Sequence, residues 1–151
     1  MAVKDHGKVS GFSGNEIYCL NRLGYRAGEL CLGNHVIALG IGRGIGAGLS
    51  TLAGGEISEI TNLVQQGRSR AYNRMVKEAQ HYGGLGLAGV SFDMVNHVGN
   101  VEFIAVGSTV KQEGGDAALR FTTADDAQSL YCQMDAGFEP KRFVFGNVAY
   151  S

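Results

Sequence analysis

The sequence predicts an α+β fold: one long helix against a small sheet, with an extra helix-strand segment at the C-terminal end. Three observations point there. Ile57, Ile60, Val64, Ala71, Met75, Ala79 and Tyr82 recur at helical spacing, with Leu63, Tyr72 and Val76 widening the stripe. An apolar run from Leu85 to Val95 is followed by the imperfect alternation of Val101 to Lys111, which reads as an antiparallel hairpin. The end of the chain then restates the helix-turn-strand order of its beginning.

Residues 1–11 are a polar, unpatterned tail. Gly11, Ser13 and Gly14 open a short helix to about Arg22, stopped by Gly24. From Arg26 to Leu39 the residues are apolar and β-compatible around Gly28, Gly33 and Asn34, either one strand broken by a turn or bulge or two short strands. A glycine-dense connection fills 40–55. The long helix follows, with Glu56 and Glu59 in its first turn opposing the macrodipole and Lys77 and His81 near its end. Gly83 and Gly84 terminate it. Gly99 and Asn100 form the hairpin turn, and Glu113 to Asp116 is a hinge. Thr123 or Asp125 caps a last helix to about Ala136, Gly137 stops it, and Pro140 opens a strand from Lys141 to Tyr150.

With 151 residues, 44% hydrophobic and 18% charged, the chain suits a single globular core. A net charge of -1 favours neither nucleic acid nor an anionic membrane as partner. No apolar stretch reaches the roughly 20 residues of a membrane helix. Cys19, Cys31 and Cys132 match no zinc or disulfide framework, and with no secretory signal read ahead of them a reducing cytoplasm is expected. Glycine is the outlier at 24 residues, against one proline, so close backbone approach is needed in several places.

Laid on the beginning at an offset of 113, the terminal segment pairs Tyr18 with Tyr131, Cys19 with Cys132, Gly24 with Gly137, Gly33 with Gly146 and Asn34 with Asn147. Apolar character is kept in Leu30 and Phe143 and in Leu32 and Phe145. The chain reads as one full unit, 12–115, plus the opening of a second, 116–151, which packs on the same unit or on a neighbouring subunit.

The run Arg68-Ser-Arg-Ala-Tyr-Asn-Arg74-Met75-Val-Lys-Glu78-Ala79, preceded by Gly54-Gly55-Glu56 and Thr61 and followed by Gly83 and Gly89-Val90, resembles the YbjQ-like domains, labelled as heavy-metal-binding. Val101 to Val110 is similar to that family's closing strand, and the likeness runs from about residue 17 to 111. The resemblance implies a dodecin-like subunit, one helix on a three-stranded antiparallel sheet, assembled as a cyclic homopentamer that sometimes stacks into a decamer. It implies no reaction, and metalloid binding for some relatives. Many members carry an alanine-aspartate pair after the helix-ending glycine where this chain has Gly84-Leu85, so that carboxylate has no counterpart here. Assembly also follows without the resemblance, because one helix on a small sheet leaves a sheet edge and a helix face unburied, and a closed ring covers both.

Four groups of residues offer chemistry. Gly42, Gly44 and Gly46 match a relaxed dinucleotide fingerprint, but the helix does not follow at once and the expected acidic residue falls inside it. Cys31 and His35 are four apart, a spacing seen in metal sites, yet the repeat equates them with Val144 and Val148 and so argues for packing. Cys19 and Cys132 recur beside a tyrosine in both copies, and Cys132 falls on the flank of its helix, towards Gln128 and Asp135, where a thiolate suits a thiophilic metal ion or metalloid. Arg70, Arg74 and Lys77 make a basic stripe ending at His81, an exposed face or an anion site, and Glu78 stands four residues after Arg74 as its partner. No catalytic triad or paired-carboxylate arrangement can be assembled from spacing. The leading reading is a non-enzymatic ring-forming domain that binds a small ligand. An architectural or partner-binding module comes second, and a phosphate- or nucleotide-binding enzyme using the glycine-rich loop third.

Overall fold

The computed structural model describes residues 9–38, 58–114 and 118–148. Ser13 caps helix α1, Gly14–Arg22, in a capping box: its side chain accepts from Glu16 N–H, and the Glu16 carboxylate accepts from Ser13 N–H. Strand β1, Tyr25–Ala38, is continuous, with a bulge between Ala27 and Leu30. Helix α2, Ser58–His81, ends in a Schellman turn, with Gly84 N–H donating to Ala79 C=O and Gly83 N–H to Gln80 C=O. Strands β2, Gly86–His97, and β3, Asn100–Gln112, form the hairpin. Its two-residue turn is Val98-Gly99, one position earlier than the sequence suggests, because His97 pairs with Asn100.

Three corrections concern the C-terminal end. A short strand β4, Phe121–Thr122, runs parallel to β2, so the sheet has four strands in the order β1-β3-β2-β4 and is mixed rather than three-stranded and antiparallel. Helix α3, Ala127–Asp135, is capped by Asp126, not by Thr123 or Asp125. It lies 113 positions after α1 at both ends. The strand expected from Lys141 is absent over 141–148, which form no sheet ladder. Phe143, Phe145 and Asn147 nevertheless alternate inward as strand residues would.

Register sorts the side chains into two layers. Cys31 and Gly33 of β1 pair with Gly107 and Ala105 of β3, and these face α2 with Val101 and Phe103. There Ala71, Met75 and Ala79 of α2 complete a buried cluster with Leu87 and Val90. A Cβ on Gly33 would lie 2.0 Å from Ala71 C=O, and one on Gly67 would lie 2.3 Å from the Phe103 ring. Glycine at these two places lets α2 lie directly on the sheet. On the opposite layer α1 and α3 cover one end of the sheet, where Leu20, Ala127 and Leu130 bury Ala88 and Val110. Glu16 joins these two helices, since its second oxygen accepts from Ala127 N–H.

Both sheet edges are partly closed. Along β1, Val9 C=O accepts from Leu30 N–H, the Glu78 carboxylate accepts from Leu32 N–H at 2.6 Å, and the Arg74 guanidinium donates to Asn34 C=O. Glu78 is thus turned to the strand edge rather than to Arg74. Along β2, Leu85 C=O accepts from Arg120 N–H, Leu87 C=O from Thr123 N–H, and Val90 and Gly89 N–H donate to Thr123 and Asp125 C=O. Unpaired edge groups invite another strand, and these contacts remove the invitation.

Gly33 and Gly146, one of the glycine pairs of the internal repeat, differ sharply in their surroundings, because nothing lies within 4 Å of a Cβ placed on Gly146. Gly33→Ala should cost about 3 kcal/mol, the upper end of overpacking costs, since the obstructing atoms are helix backbone. Gly146→Ala should be neutral within about 0.5 kcal/mol. Urea denaturation midpoints of the two variants check this.

Candidate functional site

A cleft of about 490 Å³ lies between α2 and the C-terminal segment. Ser69, Tyr72, Asn73, Val76 and Gln80, one face of α2 at helical spacing, form one wall. Leu119 to Thr122, with Lys141, Arg142, Phe143 and Phe145, form the other. Thr122 ties the walls together: its hydroxyl lies 2.8 Å from Tyr72 Oη and accepts from Phe143 N–H at 2.7 Å. Below, Phe92 of β2 meets Phe145 at 5.0 Å and Phe143 at 5.5 Å between ring centroids. The segment is therefore held by aromatic packing and a few isolated hydrogen bonds, among them Asn147 Nδ2–H to the Thr61 carbonyl, rather than by a ladder.

Arg120, Lys141 and Arg142 line the cleft, and among the described residues no carboxylate does. Lys141 pairs with Glu139 at 3.1 Å. Among the described residues neither guanidinium has a carboxylate partner. Sequence reasoning passed over these residues; the signal was the juxtaposition of basic and aromatic side chains in Arg120-Phe121 and Lys141-Arg142-Phe143-Val144-Phe145.

The residues singled out by the sequence do not converge on this cleft. Gly42, Gly44 and Gly46 lie outside the described residues. Arg70 and Arg74 face the end of β1: Arg70 Nη1 lies 3.2 Å from His35 Nε2, and Arg74 binds Asn34 C=O, while Lys77 is exposed. Two of the three stripe cations thus have protein partners.

Cys31 and His35 cannot share one metal ion. On a helix residues four apart are neighbours, but on a strand they stand about 13 Å apart, at roughly 3.3 Å per residue. Cys31 is fully buried, and burial, with the negative charges of Glu78 and Glu29, pushes its thiol up to about 12. Such a thiol stays protonated and is a poor ligand. The repeat argument against this pair rested on a false equivalence, however. Val144, matched to Cys31, is 79% exposed, so the two positions are not structurally alike. Cys132 is exposed on α3 and Cys19 is half-buried on α1. Among the described residues no three His, Cys, Asp or Glu side chains are grouped to hold a metal ion, and no helix is long and apolar enough to cross a membrane.

Residues 23–113 match the model of the YbjQ_1 family, described as "Putative heavy-metal-binding". A UPF0145 protein of Methanoculleus marisnigri is 38% identical over 92 residues, 58% of this chain and 86% of that protein. One from Thermotoga maritima is 37% identical over 94 residues, 60% of this chain and 89% of its own. One from Archaeoglobus fulgidus is 39% identical over 80 residues, 52% and 74% respectively.

The thiols should react in a fixed order. A chromogenic disulfide should modify Cys132 first and Cys19 more slowly, while Cys31 reacts only with unfolding; early labelling of Cys31 would contradict its burial. His35 supplies a second expectation. Burial and the positive charges of Arg70 and Arg74 hold its ring below the ordinary 6.5. The unfolded chain therefore takes up this proton first, so the contribution of His35 is present above pH 6.5 and is lost as pH falls through the folded value. His35→Gln should flatten the slope of stability against pH in that window, read by thermal denaturation.

Proposed function

Because this chain belongs to the YbjQ-like family, whose model spans residues 23–113, we propose that it is a non-enzymatic, ring-forming module of the cytoplasm that binds a small ligand. The observation that carries the reading is the bare half of the sheet. α2 covers one face and the α1–α3 pair covers one end of the other. Beyond that pair, Leu32 and Val106 stand in one cross-strand row, with Ile104 and Val36 in the next two. Leu32 and Val36 are each 51% exposed. Apolar area of this kind is stabilised by roughly 25 cal/mol for each Å² withdrawn from water.

A second copy of the chain is the occupant most in keeping with the closed edges. With β1 blocked from Leu30 to Asn34 and β2 blocked from Leu85 to Val90, association proceeds by face packing rather than by lengthening the sheet at those positions. A contact between unlike patches that repeats by rotation closes into a ring, and five or ten copies is the size the resemblance implies.

The ligand that the family description names is a heavy metal. The described residues of one subunit do not fit that group, because Cys31 is buried and protonated and His35 is engaged by Arg70. Within our reading, a thiophilic ion or metalloid is left with Cys132 and Cys19 as donors, and assembly multiplies them.

Light scattering coupled to size exclusion should give the mass of five or ten chains. Leu32→Glu with Val36→Glu should yield a folded monomer, and a wild-type protein that is monomeric at every concentration would sink the assembly reading. Elemental analysis after incubation with thiophilic ions should show loading lost in Cys19→Ser with Cys132→Ser. Equal loading of both proteins removes the thiols from the proposal.

A further inference from the structure

We propose that the cleft between α2 and the C-terminal segment binds a small organic anion with a flat apolar body, an aromatic carboxylate in its simplest form. The inference rests on the reading of this chain as a ligand-binding module but not on its assembly. The volume of about 490 Å³ lies within the roughly 300–1,000 Å³ usual for small-molecule sites. Its composition selects the ligand. Tyr72, Val76, Phe121, Phe143 and Phe145 offer apolar and aromatic surface. Arg120 and Arg142 supply positive charge, with Lys141 beside them on Glu139, and no carboxylate among the described residues lines the cleft.

The headgroup follows from what else lines the site. A planar guanidinium matches a carboxylate through two parallel hydrogen bonds, and two guanidinium groups that have no carboxylate partner among the described residues stand here. Phosphate dianions are commonly met by a helix N-terminus or a nest of backbone N–H groups. This cleft takes only the C-terminal half of α2, from Ser69 to Gln80, whose N–H groups belong to the helix. A bare inorganic anion would leave the aromatic surface unused. Ser69, Asn73 and Gln80 add uncharged hydrogen-bonding groups along the helix wall.

The floor is also preorganised. Tyr72 and Phe143 are both fixed on Thr122, and Phe92 packs under Phe143 and Phe145. Such fixing lowers the cost of ordering the site around a ligand. One wall, residues 119–122, 141–143 and 145, lies wholly outside the span 23–113 that the family model matches. The specificity is therefore a property of this chain's extension rather than of the shared unit.

The test is titration of the full-length chain with 2-naphthoate followed by the probe's own fluorescence, which the absence of tryptophan leaves clear. Saturable binding at one site per chain with Kd below about 1 mM is expected. Arg120→Gln and Arg142→Gln should each weaken it about tenfold or more, the loss expected for a charge-assisted pair. Val76→Phe, which narrows the cleft, should weaken it with the circular dichroism spectrum unchanged. Equal affinity for neutral 2-naphthylmethanol, indifference to the arginine variants, or no saturable binding overturns the site. Preference for 1-naphthyl phosphate over naphthoate overturns the carboxylate assignment. A monomer that binds naphthoate would sink the assembly reading and leave this site standing, and a ring that does not bind it would do the reverse.

Discussion

The contact on which the rest of the molecule depends is the crossing of α2 over β1 at Gly33, where the helix backbone at Ala71 and Met75 occupies the space a side chain would need. Gly67, set over the Phe103 ring, makes the same close approach nearer the start of the helix. Contact at backbone distance fixes both the height and the rotation of a helix on a sheet, because rigid atoms rather than adjustable side chains meet. Once rotation is set, every residue of α2 has its direction. Ala71, Met75 and Ala79 go down into the core, Arg70, Arg74 and Glu78 go to the edge of β1, and Tyr72, Val76 and Gln80 go to the opposite flank.

That partition explains why the charged stripe of the helix is structural. The outward backbone groups of β1 at Leu32 and Asn34 have no strand beside them, and Glu78 and Arg74 satisfy one each. An ion pair between those two side chains, which their spacing suggests, would add only a few tenths of a kcal/mol on an exposed helix. Charge-assisted bonds to strand groups that otherwise lack a protein partner contribute more. The other flank of the helix has no such duty and is left to face the C-terminal segment.

The helices were legible because their signals are local. Terminating glycines and apolar periodicity placed α1, α3 and most of α2 close to their observed bounds, though not the α3 cap, and a bulge in β1 and the hairpin were readable for the same reason. What was not legible depends on contacts distant in sequence. Two residues, Phe121 and Thr122, become a strand only because β2 offers an edge. Lys141 to Val148 carry strand-like alternation yet meet aromatic rings instead of a ladder. Cys31 and His35 looked like a metal pair because spacing was read without the rise of a strand. The cleft was missed because its two walls are separated by the whole hairpin.

The internal repeat shows where pattern stops determining structure. Leu30, Leu32 and Asn34 face away from α2, whereas their counterparts Phe143, Phe145 and Asn147 turn towards Phe92, Tyr72 and the Thr61 carbonyl. A period of two states that alternate residues share a side but not which side is covered. In β1 that choice belongs to Gly33, which admits the helix on its own side and leaves Leu32 exposed. In the C-terminal segment Gly146 meets nothing within 4 Å, and the bulk of Phe143 and Phe145 decides instead. One residue pattern therefore leaves an apolar surface bare in β1 and closes a cleft at the other end of the chain. The first outcome directs attention to another subunit, the second to a ligand.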